Sequence, residues 1–264
     1  MKKRVISAIV ALVIVLPIIF LGGYAYYIGV GIISLIGFYE IINVHEKKKK
    51  LPISMKVLSL MTYLFIILSA VKNDNNFYVD HRFIILDLFV CLLPLIVLKE
   101  KDYDVNDAMY LLSSTLFLGI SFNYLIVIRN MSLLYFLYTI IITIMSDTFA
   151  HFWGEKIGRI KLCPKVSPNK TVEGMIGGTI FGTFLGSVFF LTLINTEASV
   201  FLVSIMSLAM SIVAQFGDLV FSAIKRYFDV KDFGNIMPGH GGILDRLDSI
   251  IFASLVFSYL VSFF

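Results

Sequence analysis

Asp245 and Asp248 stand three residues apart in the run Asp245-Arg246-Leu247-Asp248, a spacing that puts both carboxylates on one face of a helix. Asp218 closes the apolar run before them, and no cysteine or histidine cluster accompanies the three acids. Oxygen donors without sulfur or imidazole suit a hard cation such as Mg2+ rather than zinc. Acids in a helix's first turn also compensate its dipole, which accounts well for one of them and poorly for the set. Lys225, Arg226 and Lys231 lie between Asp218 and the pair. They are dense enough for a phosphate-binding surface, although basic residues at a membrane interface also arise from topology alone. Pro238-Gly239-His240-Gly241-Gly242 does not continue a helix, and its glycines allow close backbone approach. His240 is the one histidine of this loop, a setting in which histidine more often hydrogen-bonds than ligates.

A second group lies upstream. Asp147 sits a few residues before the polar end of an apolar run. An unpaired carboxylate there costs up to about 2.5–3.5 kcal/mol at the bilayer centre and less near the interface. It reads either as a helix-ending acid or as a site carboxylate. Further on, Ser167-Pro168-Asn169-Lys170-Thr171-Val172-Glu173-Gly174 sets two hydroxyls, a lysine and an acid before another apolar run. Thr171 is a natural N-cap. Lys170, Ser167 and Thr171, with the free N–H groups of a helix start, equally make an anion site. The two roles are compatible.

The elements that must position these groups follow from composition. Of 264 residues, 58% are hydrophobic and 15% charged, and mean hydropathy is +0.90. That is more apolar surface than one water-soluble core can hide. The chain is expected to be an all-α, polytopic integral membrane protein. Its apolar runs are continuous and lack the alternation of barrel strands. About nine runs approach the roughly 20 residues a spanning helix needs. They lie near 5–21, 24–44, 53–71, 83–98, 108–128, 131–150, 174–194, 199–221 and 243–263. The fourth is short and holds Asp87 and Pro94. The first, with its basic start, is similar to a signal peptide, but no small-residue cleavage site follows and it is expected to remain as a helix.

Placing alternate connections on opposite sides puts all but three of the 22 lysines and arginines on one side; the exceptions are Lys72, Arg82 and Arg129. Short cytoplasmic loops collect positive charge, so the N-terminus and both long polar loops, 151–173 and 222–242, are expected in the cytoplasm. The net charge of +4 is thus a topology signal that also suits anionic lipid head groups, and it does not imply nucleic acid. Cys91 falls in a run and Cys163 in a cytoplasmic loop, so no disulfide is expected.

The chain divides by character. Residues 1–130 have short or low-complexity loops and read as a transmembrane scaffold. Residues 131–264 carry polar groups at run ends and read as the catalytic region. Gly174, Gly177, Gly178, Gly182 and Gly186 form a helix face for close packing, which leaves a homodimer open. Carboxylates, lysines and glycine loops at head-group depth suit phosphoryl or nucleotidyl transfer to a lipid phosphate.

The ordered set Ser222-x-x-Lys225-Arg226, Lys231-Asp232, Gly234, Pro238-x-His240-Gly241-Gly242-Ile243-x-Asp245-Arg246-Leu247-Asp248 resembles the motif of the phosphatidate cytidylyltransferases. Asp147-x-x-Ala150, Gly154, Gly158 and Ser167-Pro168-x-Lys170-Thr171-x-Glu173-Gly174 are similar to the same family's upstream pattern. The motifs cover roughly residues 140–250. Met237, His151 and Asn169 depart from it, the last removing a positive charge. The resemblance implies transfer of a cytidylyl group from CTP to phosphatidate, giving CDP-diacylglycerol and pyrophosphate, with Mg2+ required at the inner face of the cytoplasmic membrane. It implies Asp218, Asp245 and Asp248 as metal ligands, with Asp147 and Glu173 as weaker candidates. Lys225, Arg226, Lys231 and Arg246 would neutralise phosphate, and Ser167, Lys170 and Thr171 would hold a further phosphate. His240, Gly241 and Gly242 would shape the loop. The number of metals, and any monovalent cation, stay open. Two rivals are a CDP-alcohol phosphotransferase, whose D-G-x-x-A-R pattern is missing here, and an ion-coupled transporter using Asp87, Asp147 and Asp218.

Overall fold

The structure, a computed structural model, describes residues 2–72, 79–237, 239 and 241–261. It is an all-α protein: α1 (Lys2–Leu21), α2 (Gly23–Glu46), α3 (Ile53–Lys72), α4 (His81–Leu92), α5 (Pro94–Val97), α6 (Val105–Met131), α7 (Leu133–Ile157), α8 (Val172–Phe189), α9 (Val200–Tyr227) and α10 (Leu244–Leu260). Among the described residues six helices are long and apolar enough to cross a membrane, namely α2, α3 through Val71, α6, α7, α8 with the π turn Phe190–Ile194 that prolongs it, and α9. Each expected apolar run holds a helix, but the fourth is divided. Pro94 lacks an N–H and cannot extend the preceding helix, so α4 stops at Leu92 and the four-residue α5 follows.

The chain falls into two compact units, Met1–Asn130 with Asp232–Leu244, and Met131–Lys231 with Asp245–Phe264. In the first, buried polar side chains cross-link α2, α3 and α6. The Tyr26 hydroxyl donates to Leu125 O at 3.1 Å, Tyr63 to Ser34 O at 2.9 Å, and the Asn123 amide to Ile66 O at 2.7 Å. The helix α6 starts with a reciprocal cap: Asp107 N donates to Asp104 Oδ1 and Asp104 N to Asp107 Oδ2, satisfying two N–H groups that a helix start leaves orphaned. Lys49 pairs with both acids. Its hydrogen bond holds the Asp104 carboxyl below its usual range.

In the second unit Ser132 caps α7 by accepting from Leu134 N, and Thr171 caps α8 by accepting from Gly174 N. The helices α7 and α8 pack closely because the glycine face of α8 meets α7. A Cβ on Gly178 would lie 2.5 Å from Ser146 O, and one on Gly186 2.5 Å from Ile142 Cγ1. The face that left a dimer open is taken up inside the chain. Both α7 and α9 outrun their apolar segments, by a turn or more. His151 and Glu155, and Lys156 over the Phe152 ring, are helix-compatible neighbours along α7. Between α7 and α8 lies a feature the apolar pattern did not announce, an antiparallel hairpin of β1 (Lys161–Cys163) and β2 (Ser167–Thr171). The thiols of Cys91 and Cys163 are both free.

Candidate active site

The helix α9 carries polar residues at 207, 211, 215, 218, 222 and 225, steps of three and four that make one stripe. Its first half locks the bundle. Tyr138 OH and Ser207 Oγ lie 2.7 Å apart, Ser211 Oγ donates to Ser146 Oγ at 3.0 Å, and the Gln215 amide donates to Thr179 Oγ1 at 3.0 Å. Small hydroxyls here serve two ends: they satisfy one another away from water, and they leave room for the glycines of α8.

The second half of the stripe is charged. Lys170, at the end of β2, places Nζ 2.7 Å from Asp218 Oδ2 and donates to Gln215 O at 3.3 Å. Ser222 Oγ, one turn on, donates to Asp218 Oδ1 at 3.2 Å. A further turn along, Lys225 Nζ lies 2.6 Å from Asp245 Oδ1 on α10. Asp248 follows one turn later on α10, buried, with Oδ1 accepting from Ser249 N at 2.8 Å. Asp248 lies within electrostatic range of Asp218 and Asp147, and Asp147 within range of Lys170 and Asp218. Four acids and two lysines from α7, β2, α9 and α10 thus form one charged cluster, in which each lysine pairs with one aspartate.

The remaining expected residues divide. Arg226 donates to Val166 O and Val230 O, and Lys231 and Arg246 are exposed. Thr171 serves as the cap of α8, and Ser167 opens β2. Both Glu173 oxygens accept from Ile160 N at 3.2 Å, which ties the hairpin to the start of α8. Gly241 and Gly242 belong to the first unit. Gly239 and Gly241 adopt φ of 79° and 85°, a left-handed backbone that glycine enters without steric cost. There Met237 N donates to Gly241 O at 3.0 Å. His240 lies outside the described residues.

Sequence reasoning missed Glu40, which is buried on α2 in the first unit and accepts from Ile243 N and Leu244 N. The available signal was a lone acid inside the run 24–44, since an ionisable residue within a span is a functional candidate by default.

Whether the cluster fits a metal turns on its donors. Among the described residues, no three acid, imidazole or thiol groups stand close enough together to hold an ion as they are. The donor chemistry nevertheless suits a hard divalent cation. Asp147, Asp218 and Asp248 act on one another as like charges, which such a cation would relieve, and their oxygens are the donors it takes.

A family model described as "Cytidylyltransferase family" matches residues 2–264. Among curated proteins, the chain is 37% identical over 253 residues to a protein of Staphylococcus haemolyticus named phosphatidate cytidylyltransferase, covering 96% of this chain and 95% of that one. A Staphylococcus aureus protein of the same name is 36% identical over 252 residues, with 96% and 95% covered. One from Bacillus subtilis is 32% identical over 267 residues, with 100% and 98% covered.

Proposed function

The chain belongs to the cytidylyltransferase family, and from that membership we propose that it converts CTP and phosphatidate to CDP-diacylglycerol and pyrophosphate. A phosphatidate phosphate oxygen forms a bond to the α-phosphorus of CTP. The bond from that phosphorus to the α,β-bridging oxygen breaks, and pyrophosphate leaves with the electron pair. A phosphate monoester loses its second proton near pH 6, so the attacking oxygen is already anionic at neutral pH and needs no general base. The barrier is mutual repulsion between two polyanions.

Charge neutralisation is therefore what this chain's residues would contribute. Lys170 and Lys225 are each held in place by a carboxylate, and an arriving phosphate can take over part of that contact through charge-assisted hydrogen bonds. Arg226, Lys231 and Arg246 are further candidates for neutralising phosphate. Mg2+, held by Asp218, Asp245 and Asp248 with Asp147 beside them, would supply neutralisation of the reacting phosphates. Glu173 serves the hairpin. By the positive-inside distribution the cluster faces the cytoplasm, from which CTP arrives, while the diacylglycerol tails stay in the bilayer.

The observation that carries this reading is the two ion pairs, Lys170–Asp218 and Lys225–Asp245, inside a family match over residues 2–264. Purified protein in detergent, given CTP, Mg2+ and phosphatidate, should release pyrophosphate and form CDP-lipid in equal amounts. Solute uptake by reconstituted vesicles without CDP-lipid formation would favour a transporter instead.

A further inference from the structure

Glu40 stands in the last third of the apolar helix α2 with 2% of its surface exposed. A carboxylate there is costly unless every lone pair that matters finds a donor. Two of the donors it finds are backbone N–H groups. Oε1 accepts from Ile243 N at 2.9 Å and Oε2 from Leu244 N at 3.0 Å. Leu244 is the first residue of α10, so the carboxylate meets a helix start, where free N–H groups and the dipole both favour negative charge. The glycines of the loop are shaped to this group. A Cβ on Gly242 would lie 2.5 Å from Oε1, and a Cβ on Gly234 would also collide with the carboxylate.

Resting on the cytidylyltransferase reading above, we propose that Glu40 is a positioning residue that fixes the backbone of the glycine loop and of the first residue of α10, the residue bonded to Asp245. Two N–H groups held by one planar carboxylate fix the direction in which the chain leaves Leu244. Asp245 follows at the next peptide bond, so the chain enters Asp245 from a backbone that the carboxylate holds. Glutamine keeps the length and one acceptor oxygen, but turns an NH2 group toward an N–H that needs an acceptor. Alanine removes both acceptors.

The test compares wild type, Glu40→Gln and Glu40→Ala. Displacing reacting groups by about 1 Å costs on the order of 100-fold, and the carboxylate-to-amide change should lower kcat about tenfold or more while KM for CTP stays within about twofold. Amide hydrogen exchange in the segment 241–246 should quicken in both variants, more in Glu40→Ala. Gly242→Ala should reproduce the kcat loss, and combined with Glu40→Gln the losses should be less than additive, as groups in contact behave. Unchanged kcat in Glu40→Gln, or a kcat loss without faster exchange, would overturn the positioning role. Wild type that forms no CDP-lipid would defeat the functional reading alone, because the exchange comparison still decides the clamp.

Discussion

Lys225 Nζ lies 2.6 Å from Asp245 Oδ1, an ion pair whose side chains are only 10% and 5% exposed. Removing one partner of a buried pair leaves the other charge uncompensated, at about 3–5 kcal/mol. Lys225→Met and Asp245→Asn should therefore each lower both turnover and the melting temperature of the detergent-solubilised protein. A double variant should recover part of the melting temperature and none of the activity. Full stability in either single variant would show the pair to be dispensable for folding.

Asp248 should behave differently. Its neighbours in charge are Asp218 and Asp147, which repel it, and Lys225, whose attraction is the smaller effect, so Asp248→Asn removes more repulsion than attraction. Turnover should be lost while the melting temperature holds or rises. Mg2+ should stabilise wild type, by about 2.7 kcal/mol at 100 times its Kd, and much less in this variant. EDTA should abolish turnover and Mg2+ should restore it. An equal Mg2+ shift in Asp248→Asn would remove this carboxylate from the metal site.

Lys170 can be separated from both. Its ammonium spans Asp218 and Gln215 O, and Lys170→Met should cost about 100- to 1000-fold in turnover, as loss of one charge-stabilising donor does. Lys170→Arg, which still pairs with a carboxylate, should retain more. Equal rates for the two, measured as CDP-lipid formed, would assign Lys170 no charge role.

The contact of α7 with α8 gives a prediction about stability alone. Gly178→Val places its branch against Ser146 O and the Ala150 methyl, and overpacking of this kind costs about 1–3 kcal/mol. Thermal unfolding in detergent should show a lower midpoint, whereas Ile180→Val, at an exposed position of the same helix, should not.

Orientation is readable from the two native thiols. Cys163 is partly exposed in the hairpin and Cys91 is fully buried. A membrane-impermeant maleimide should label Cys163 in inverted vesicles and not in intact cells. The opposite result would reverse the topology.

What the sequence disclosed follows from what local pattern can carry. Asp245 and Asp248 were legible because acids three apart share a helix face and here follow a glycine loop and three basic residues. Thr171 was legible because a cap acts three residues away. The pairing of Lys170 with Asp218 was not, since the partners come from different elements and no period links them. Hydropathy found the helices but cut α7 and α9 short, because it registers lipid contact while His151, Glu155, Ser222 and Lys225 remain good helix neighbours. Glu40 was visible as a lone acid inside an apolar run, but its contact with the N–H groups of Ile243 and Leu244 was not, since no side-chain letter records a backbone donor.

The Glu40 contact also has a history in the making of the protein. Its donors lie 203 and 204 residues further along the chain. At a synthesis rate of about 5–20 residues per second, the carboxylate waits on the order of 10–40 s before they emerge. During that interval α2 must enter the bilayer with a borrowed partner, such as water, a lipid head group, the insertion machinery or a proton. Asp232–Leu244 then completes the unit that Met1–Asn130 began. A break between residues 130 and 131 would yield two pieces of which neither holds all of the first unit.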